Sequence, residues 1–421
     1  MTQKKKLAII GQGYVGLPVA MRAVEQGYRV VGVDLDQRRV AALRAGDSYV
    51  EDIPDSQLEA ALDSGRYLPT TDYHDARDYD IAVITVPTPL REGLPDLSFI
   101  ESSGASLAGL LRPGATVILE STTYPGTTEE LLIPILESGS GLTAGVDFHV
   151  GYSPERIDPG NVTWGFVRTP KVVSGFGPQA LAVVQGFYDT LVDTTVPVNS
   201  PKEAELAKLL ENTFRHVNIA LVNELAIFAH ELGVNVWESI DAASTKPFGF
   251  MKFSPGPGVG GHCLPVDPSY LSWQVRRKLG QSFRFVELAN DINDHMPQYV
   301  VQRLMLLLNE SGRAIRGSKV ALIGLAYKRN SGDIRESPAL RLIEILREYG
   351  ADIVGVDGHI EEHRWPKSLS RGELDQTLID SVDVAVLITD HDDLDLALLS
   401  ASAKPVLDTR NRLAGKNIVR L

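Results

Sequence analysis

An apolar strand pattern at Leu7–Gly11 runs directly into Gly11-Gln12-Gly13-Tyr14-Val15-Gly16, and a helical pattern follows to about Gln26. Of all features in this chain, this one most restricts the fold. G-x-G-x-x-G is common by chance, but strand before and helix after give it a structural meaning. The first glycine permits the tight turn, the second lets backbone approach a pyrophosphate, and the third lets helix and strand pack closely. The backbone around Gly13, Tyr14 and Val15 then forms the helix N-terminus on which the pyrophosphate rests. Asp34 closes the next strand pattern, Arg29–Asp34, where a carboxylate accepts hydrogen bonds from an adenosine ribose. It repels a 2′-phosphate, so NAD is favoured over NADP. Arg38 and Arg39 keep NADP open as an option, or simply form a solvated first turn.

Further strand patterns at Asp80–Val86, Thr116–Glu120, Phe148–Tyr152 and Lys171–Ser174 alternate with helices. Short apolar strands alternating with helices imply a parallel sheet covered on both faces. The pattern returns at Val320–Gly324, Asp352–Asp357, Val382–Thr389 and Pro405–Asp408, with a helix over Pro338–Tyr349. Between the two regions, Lys202 to about Gly233 has helical spacing with no internal Gly or Pro. More helix is expected through Trp237–Ala243, Tyr270–Lys278 and Phe285–Asn309. The predicted fold is α/β, with two Rossmann-like doubly wound domains joined by a long central helix. The expected domains are 1–200 for the dinucleotide, 201–310 for the helical region with a cysteine loop, and 311–421 for the second sheet. From Val217 onward the long helix is apolar on nearly every side, which predicts burial on all sides and a homodimer packed through it. The second region has only Gly324-Leu325-Ala326 after its first strand, so it should not hold a second dinucleotide.

Charge and composition exclude other classes. With 41 basic and 54 acidic residues the net charge is −13, which disfavours non-specific binding to nucleic acid or anionic membrane. The most apolar long stretch, Val217 to Leu232, is interrupted by Asn218, Asn223, Glu224, His230 and Glu231, so it does not read as a membrane span. No signal-peptide pattern follows the N-terminal lysines. A single cysteine, Cys263, allows no internal disulfide and no multi-cysteine metal site, so a cytoplasmic protein without a metal is expected.

Three segments carry candidate chemistry. Pro255–Pro268 holds four glycines, four prolines and Cys263, the composition of a shaped loop rather than of a core segment. A lone cysteine is most often a small buried hydrophobe, and a nucleophilic one needs its thiolate favoured by a base or a nearby cation. His262 beside it is structural or substrate-lining. Lys208 and Asn212 stand four residues apart on one helix face, with Glu205 three before the lysine. They are either a surface pair or a lysine and amide that stabilise an oxyanion. The third segment, Tyr152–Gly160, places Glu155 and Arg156 after a strand end, where a carboxylate can orient water. Val86-Pro87-Thr88-Pro89 and Glu120-Ser121-Thr122-Thr123 also fall at strand ends, where turn chemistry and ligand contact explain them equally well.

In this order, GQGYVG, VPTP, ESTTYPGTT, GYSPERIDPG, AELAKLLENTFRHVNIALVNELA, PGPGVGGHCLPVDP and GLAYKRNSGDIRESPAL resemble the UDP-glucose/GDP-mannose dehydrogenase family over nearly the whole chain. The resemblance implies NAD-dependent four-electron oxidation of a UDP-sugar 6-hydroxymethyl to a carboxylate. A cysteine would hold the aldehyde as a thiohemiacetal and then as a thioester. By motif position Cys263 resembles that nucleophile. Lys208 and Asn212 resemble the oxyanion-stabilising pair, Asp267 the carboxylate working with Lys208, Glu155 the acid that assists thioester hydrolysis, and Thr122 the hydroxyl that holds a water. The implied NAD contacts add Arg39, Pro87, Thr88, Ser121, Thr122 and Arg335, the last of these from the C-terminal region. Implied substrate contacts are Glu155, Arg156, Lys208, Asn212, Phe250, Gly258 and Lys328. A second glutamate frequent in the UDP-glucose branch is replaced by Pro159, which receives no role.

Gly260-Gly261-His262-Cys263-Leu264-Pro265 resembles the N-acetylhexosamine branch. Ala243–Phe250 and Tyr270-Leu271-Ser272-Trp273 resemble enzymes for UDP-N-acetylglucosamine more than those for UDP-N-acetylmannosamine. UDP-N-acetylglucosamine is therefore the expected sugar, with UDP-N-acetylmannosamine or UDP-glucose as alternatives. A β-hydroxyacid dehydrogenase needs neither Cys263 nor a second sheet. A regulator with a dead site would be expected to lack Cys263, Lys208 or Asp267.

Overall fold

The computed structural model describes residues 5–91, 94–157, 163–261, 264 and 266–421. Among them the chain forms two compact units. One holds the chain to Glu211 together with Trp273–Leu279; the other holds Asn212–Ser272 and Gly280–Leu421.

The first unit is built on β1 (Lys6–Ile10), β2 (Arg29–Val33), β3 (Tyr67–Thr70) and β4 (Ile81–Ile84), followed by the small hairpin β5 (Leu90–Arg91) and β6 (Leu94–Pro95). Then come β7 (Thr116–Leu119), β8 (His149–Tyr152), β9 (Lys171–Gly175) and β10 (Thr195–Pro197). The sheet order is β10-β9-β8-β7-β4-β1-β2-β3, parallel throughout except where β9 runs against β8. The predicted strands are all present, with each end moved by two residues at most. Gly11 and Asp34 thereby fall just beyond strands, in the loops of the C-terminal sheet edge. The edge strands β3 and β10 were not anticipated, because Tyr67-Leu-Pro-Thr and Thr195-Val-Pro are short and carry proline, as edge strands tolerate. Chain order reverses beside β1, so the crevice between the β1 and β4 loops is the ligand position expected of an open parallel sheet. Leu7, Ile9, Ile81, Val83 and Ile118 pack the sheet against the Gly16–Glu25 and Pro178–Tyr188 helices.

The long helix spans Pro201–Glu231, and the boundary between the units falls within it. Gly233, at φ +66°, stops it as expected. Its burial is one-sided rather than all-round. Ala220, Val222, Asn223, Ala226 and Ala229 are buried, whereas Leu206, Leu210, Phe214, Leu221, Leu225 and Phe228 form an exposed stripe. The stripe begins a full three turns before Val217. The Arg284–Glu310 helix continues through Pro297, whose missing N–H leaves the carbonyl of Asn293 without its helical donor. Gly258 of the cysteine loop packs against that carbonyl and the proline ring.

The second unit carries β11 (Lys319–Ile323), β12 (Asp352–Val356), β13 (Ser370–Arg371), β14 (Val384–Leu387), β15 (Val406–Asp408) and β16 (Ile418–Arg420). They form a parallel sheet in the order β13-β12-β11-β14-β15-β16. Asp357 follows β12 as Asp34 follows β2. Its Oδ2 accepts the N–H groups of Leu325 and Ala326, at 2.7 and 2.9 Å, and the Nε2 of His391 at 3.0 Å. The backbone donors after β11 thus point at a protein carboxylate. The turn between them is set by Gly324, at φ +74°, where a Cβ would lie 2.0 Å from the carbonyl oxygen of Thr389. Gly324→Ala combines a left-handed φ with a backbone clash, and is expected to lower stability by about 3 kcal/mol in urea unfolding. A loss under about 0.5 kcal/mol would show that this turn relaxes freely.

Candidate active site

Around the first glycine turn, the geometry fits a dinucleotide. Gly16 packs so tightly that a Cβ would sit 1.9 Å from the Gly11 carbonyl oxygen, whereas Gly13 faces open space with nothing within 4 Å of its Cβ position. The room lies where a pyrophosphate would meet the backbone. Asp34 is buried, its Oδ2 accepting the Gln12 N–H at 2.9 Å and its Oδ1 the Asp36 N–H at 2.9 Å. Oδ1 keeps a lone pair for a ribose hydroxyl. Arg39 pairs with Asp34 at 3.4 Å and stands over the Tyr49 ring, while Arg38 pairs with Asp36 in solvent. Tyr14 is exposed beside the turn, and Val15 is the residue at which the helix begins.

The loops after β4 and β7 are tied together. Thr88 donates to the Thr122 carbonyl at 2.8 Å, and Ser121 donates to the Val86 carbonyl at 2.6 Å. These bonds engage the Thr88 and Ser121 hydroxyls in shaping the edge, with Pro87 exposed and Thr122 half-buried. Glu205, read as a surface neighbour of Lys208, is fully buried instead. It accepts from the Gly126 N–H at 2.5 Å and from the N–H and hydroxyl of Thr128 at 2.9 and 2.7 Å. It caps the helix that follows this loop and so ties the loop to the long helix. Lys208, one turn further along, is buried as well.

Glu155 is held by three donors. Its Oε1 accepts the backbone N–H groups of Arg156 and Ile157, both at 2.6 Å, and its Oε2 faces the Lys171 ammonium at 3.2 Å. Burial works to raise this carboxyl, but the charge of Lys171, the two N–H donors and Lys208 outweigh it, so Glu155 is held below the usual carboxylate range. Lys171 also contacts Glu120, and Tyr188 donates to the far oxygen of Glu120 at 3.0 Å. Arg156 makes a fork on Glu211, at 2.7 and 3.2 Å, and donates to the Pro170 carbonyl.

In the second unit Asn212 donates to Asp267, and both are buried. Asp267 opens the Asp267–Leu279 helix rather than lying in a loop. The segment leading toward Cys263 is fastened on several sides. The Gly256 N–H donates to Asn223 at 2.9 Å, Asn223 donates to Asn293 at 2.9 Å, and the Gly261 N–H donates to the Arg335 carbonyl at 3.2 Å. Cys263, His262, Pro265 and Pro159 lie outside the described residues. Lys328 is half-buried just after β11, Phe250 is exposed, and the exposed Arg335 guanidinium pairs with Asp333 at 2.6 Å.

Sequence reasoning missed Lys171, Glu120, Asn223, Asn293 and Arg410. Arg410 lies at the edge of the second sheet, close to Gly256, with its Nε donating to the Ile388 carbonyl. The available signal was a charged residue within an otherwise apolar strand pattern, as in Lys171-Val-Val-Ser. Among the described residues, His359, His391 and Asp393 alone gather metal-ligand types, within 4.8 Å. Both His391 nitrogens are already engaged, by the Asn330 N–H and by Asp357.

Comparison with known proteins covers the whole of this architecture. Residues 5–192 match the NAD binding domain of the UDP-glucose/GDP-mannose dehydrogenase family, 202–295 its central domain and 321–415 its UDP binding domain. A UDP-N-acetyl-D-mannosamine dehydrogenase of Pyrococcus horikoshii is 35% identical over 92% of this chain and 89% of its own. A UDP-N-acetyl-D-glucosamine 6-dehydrogenase of Pseudomonas aeruginosa is 38% identical over 83% and 81%. The solved structure of UDP-D-ManNAc dehydrogenase from Pyrococcus horikoshii superposes with a TM-score of 0.89 and 33% identity, covering 99% of this chain and 98% of that one. With NAD as its cofactor and a UDP-sugar as its substrate, this chain is a nucleotide-sugar 6-dehydrogenase and belongs to the UDP-glucose/GDP-mannose dehydrogenase family.

Proposed function

We propose that the enzyme oxidises UDP-N-acetylglucosamine to its 6-carboxylate through a Cys263 thiohemiacetal and thioester. NAD, when bound at the Gly11–Gly16 turn, accepts the electrons of each oxidation. Lys208 stabilises the substrate alkoxide and later oxyanions, with the Asn212–Asp267 pair orienting the polar groups about it. Thr122 holds a water, and Glu155, kept ionised by its donors, takes that water's proton in thioester hydrolysis. Lys328, Gly258 and Phe250 contact the nucleotide sugar. Arg156 contributes by fixing the Glu155 loop to the long helix. Arg39, Pro87, Thr88, Ser121 and Arg335 complete the NAD contacts. The observation that carries the reaction class is the buried, hydrogen-bonded Asn212–Asp267 pair. A polar set of this kind inside a protein needs a polar ligand or a reaction to justify it.

The Pro255–Pro268 loop supports an acetamido sugar, and the 38% identical relative is named for UDP-N-acetyl-D-glucosamine. Other relatives are named for UDP-N-acetyl-D-mannosamine, which is therefore the second reading. The domains follow the boundaries 1–200, 201–310 and 311–421. Catalysis takes place in the cytoplasm; no described helix is long and apolar enough to cross a membrane.

Two expected outcomes follow. Incubation with NAD and a panel of UDP-sugars should give two NADH per sugar and a carboxylate, with UDP-N-acetylglucosamine ahead of UDP-glucose about ten- to a hundredfold in kcat/KM. Preference for the mannosamine epimer would transfer the assignment to the second reading. Cys263→Ser should form little or no acid, and undiminished turnover would return Cys263 to a structural role. The second outcome concerns assembly. The stripe Leu206, Leu210, Phe214, Leu221, Leu225 and Phe228 is too long an apolar face for solvent, so a homodimer through this helix is expected. Sedimentation at micromolar concentration should show a dimer, and Leu225→Glu should shift it toward monomer. A wild-type monomer would overturn the assignment.

A further inference from the structure

Behind Glu155 lies a charged cluster that the reaction as derived does not use. Lys171, on β9, stands between two carboxylates, Glu155 on the loop after β8 and Glu120 at the end of β7. Glu120 and Lys171 are inaccessible to solvent, at 0% and 3% exposure, while the Glu155 side chain keeps 14%. Phe166 and Tyr188 cover the ammonium with their rings, at 5.6 and 5.3 Å. The Tyr188 hydroxyl donates to Glu120 Oε2. The titratable and charged groups facing the cluster are thus Lys171, Glu155, Tyr188 and, toward Glu155, Lys208. With both carboxylates ionised, Lys171 is shared between them and Lys208 faces Glu155, so Glu120 has only half of one counterion. Burial of a charge without a counterion is costly, and a single added proton on Glu120 removes it.

We propose that Lys171 and Glu120 form a buried proton relay that clears Glu155 during hydrolysis of the Cys263 thioester. This inference rests on the role given to Glu155 above. The water oxygen bonds to the thioester carbon, the C–S bond breaks, and its electron pair leaves on Cys263 Sγ as thiolate. One water proton passes to Glu155 Oε2, because Oε1 is already filled by two backbone N–H donors. Lys171 hands one of its protons to Glu120 Oε1 and receives the proton on Glu155. Lys171 ends unchanged, Glu155 is a carboxylate again, and Glu120 is neutral. The second water proton ionises from the new carboxylic acid into solvent. The stored proton returns by the same path once product has left. Burial, with Glu155 adding to it against the pull of Lys171, raises Glu120 to about 7, so it is a ready proton acceptor around neutral pH. Glu120 and Lys171 are positioning residues in this scheme, since neither touches the substrate.

The test separates hydrolysis from oxidation. Enzyme, NAD and UDP-N-acetylglucosamine, or whichever sugar the panel selects, are mixed in a single turnover. NADH is followed optically, and the acyl adduct on Cys263 by mass spectrometry of quenched samples. In wild type, adduct decay should speed up as pH rises through about 7, because the relay works only with Glu120 ionised. Glu120→Gln should leave NADH formation intact, slow adduct decay about tenfold or more, and abolish that inflection. Lys171→Arg keeps the charge but does not release a proton, and should behave likewise. Tyr188→Phe removes a donor to the ionised carboxylate and should move the inflection to higher pH, which serves as readout should Glu120→Gln fold poorly. Wild-type decay and an unchanged pH profile in Glu120→Gln, or equal slowing of NADH formation and decay, would overturn the relay. Glu155→Gln distinguishes the underlying reading: if it accumulates adduct while the relay variants do not, only the relay fails. If Glu155→Gln hydrolyses normally, the role of Glu155 fails with it.

Discussion

A carboxylate at the end of the second parallel strand governs what each sheet can hold. In both sheets the backbone after the first strand turns its N–H groups toward the same crevice. Asp34 takes one of them, from Gln12, and leaves the turn around Gly13 open. Asp357 takes two, from Leu325 and Ala326, and adds His391 as a third donor. The first arrangement leaves backbone donors and a ribose acceptor for a ligand, and the second satisfies both within the protein. One chain therefore uses the same architecture once for NAD and once as a platform on which the UDP-sugar side is built. The difference lies in a few hydrogen bonds, which agrees with the general rule that function resides in the site rather than in the fold.

The same economy of donors explains how the catalytic edge of the first unit is held. Loops at the ends of β4, β7 and β8 have no ladder to fix them. Glu205 fixes one from the long helix, Arg156 another through Glu211, and Thr88 with Ser121 join the first two loops to each other. Each bond replaces a solvent contact that a buried polar group would otherwise lose. Glu205 and Glu211 lie near the start of the long helix, and Asn223 further along it holds Gly256 of the cysteine loop. Each unit thus takes anchors from its own part of the helix. The helix's exposed apolar stripe leaves the opposite side free of such duties.

Much of this was legible in the sequence because it rests on local rules. Strand and helix alternation, the glycine turn with Asp34, and the helix stop at Gly233 follow from periodicity and backbone sterics, and the structure shifts their bounds only by a residue or two. Lys208, Asn212 and Asp267 were legible as chemistry, but the Asn212–Asp267 contact joins residues 55 apart in sequence. What could not be read depends on contacts of that kind. Glu205 looked like half of a surface pair because i, i+3 spacing was the only partner visible, whereas its partners lie 77 and 79 residues earlier. The all-round burial expected from Val217 onward included a second subunit, and within one chain only one side of the helix is covered, because mean apolarity does not say which face finds its partner in the same chain.

Lys171 shows how far such reasoning reaches. At the head of an apolar strand pattern, a lysine reads as an edge residue that escapes to solvent. The antiparallel turn of β9 against β8 instead brings it beneath the Glu155 loop, with β7 on the other side. A lysine at that depth requires a carboxylate, and here two carboxylates share its one charge. Neither glutamate nor the lysine implies this alone. The arrangement comes from three strands meeting in one order, which sets Glu120 and Glu155 on the same lysine.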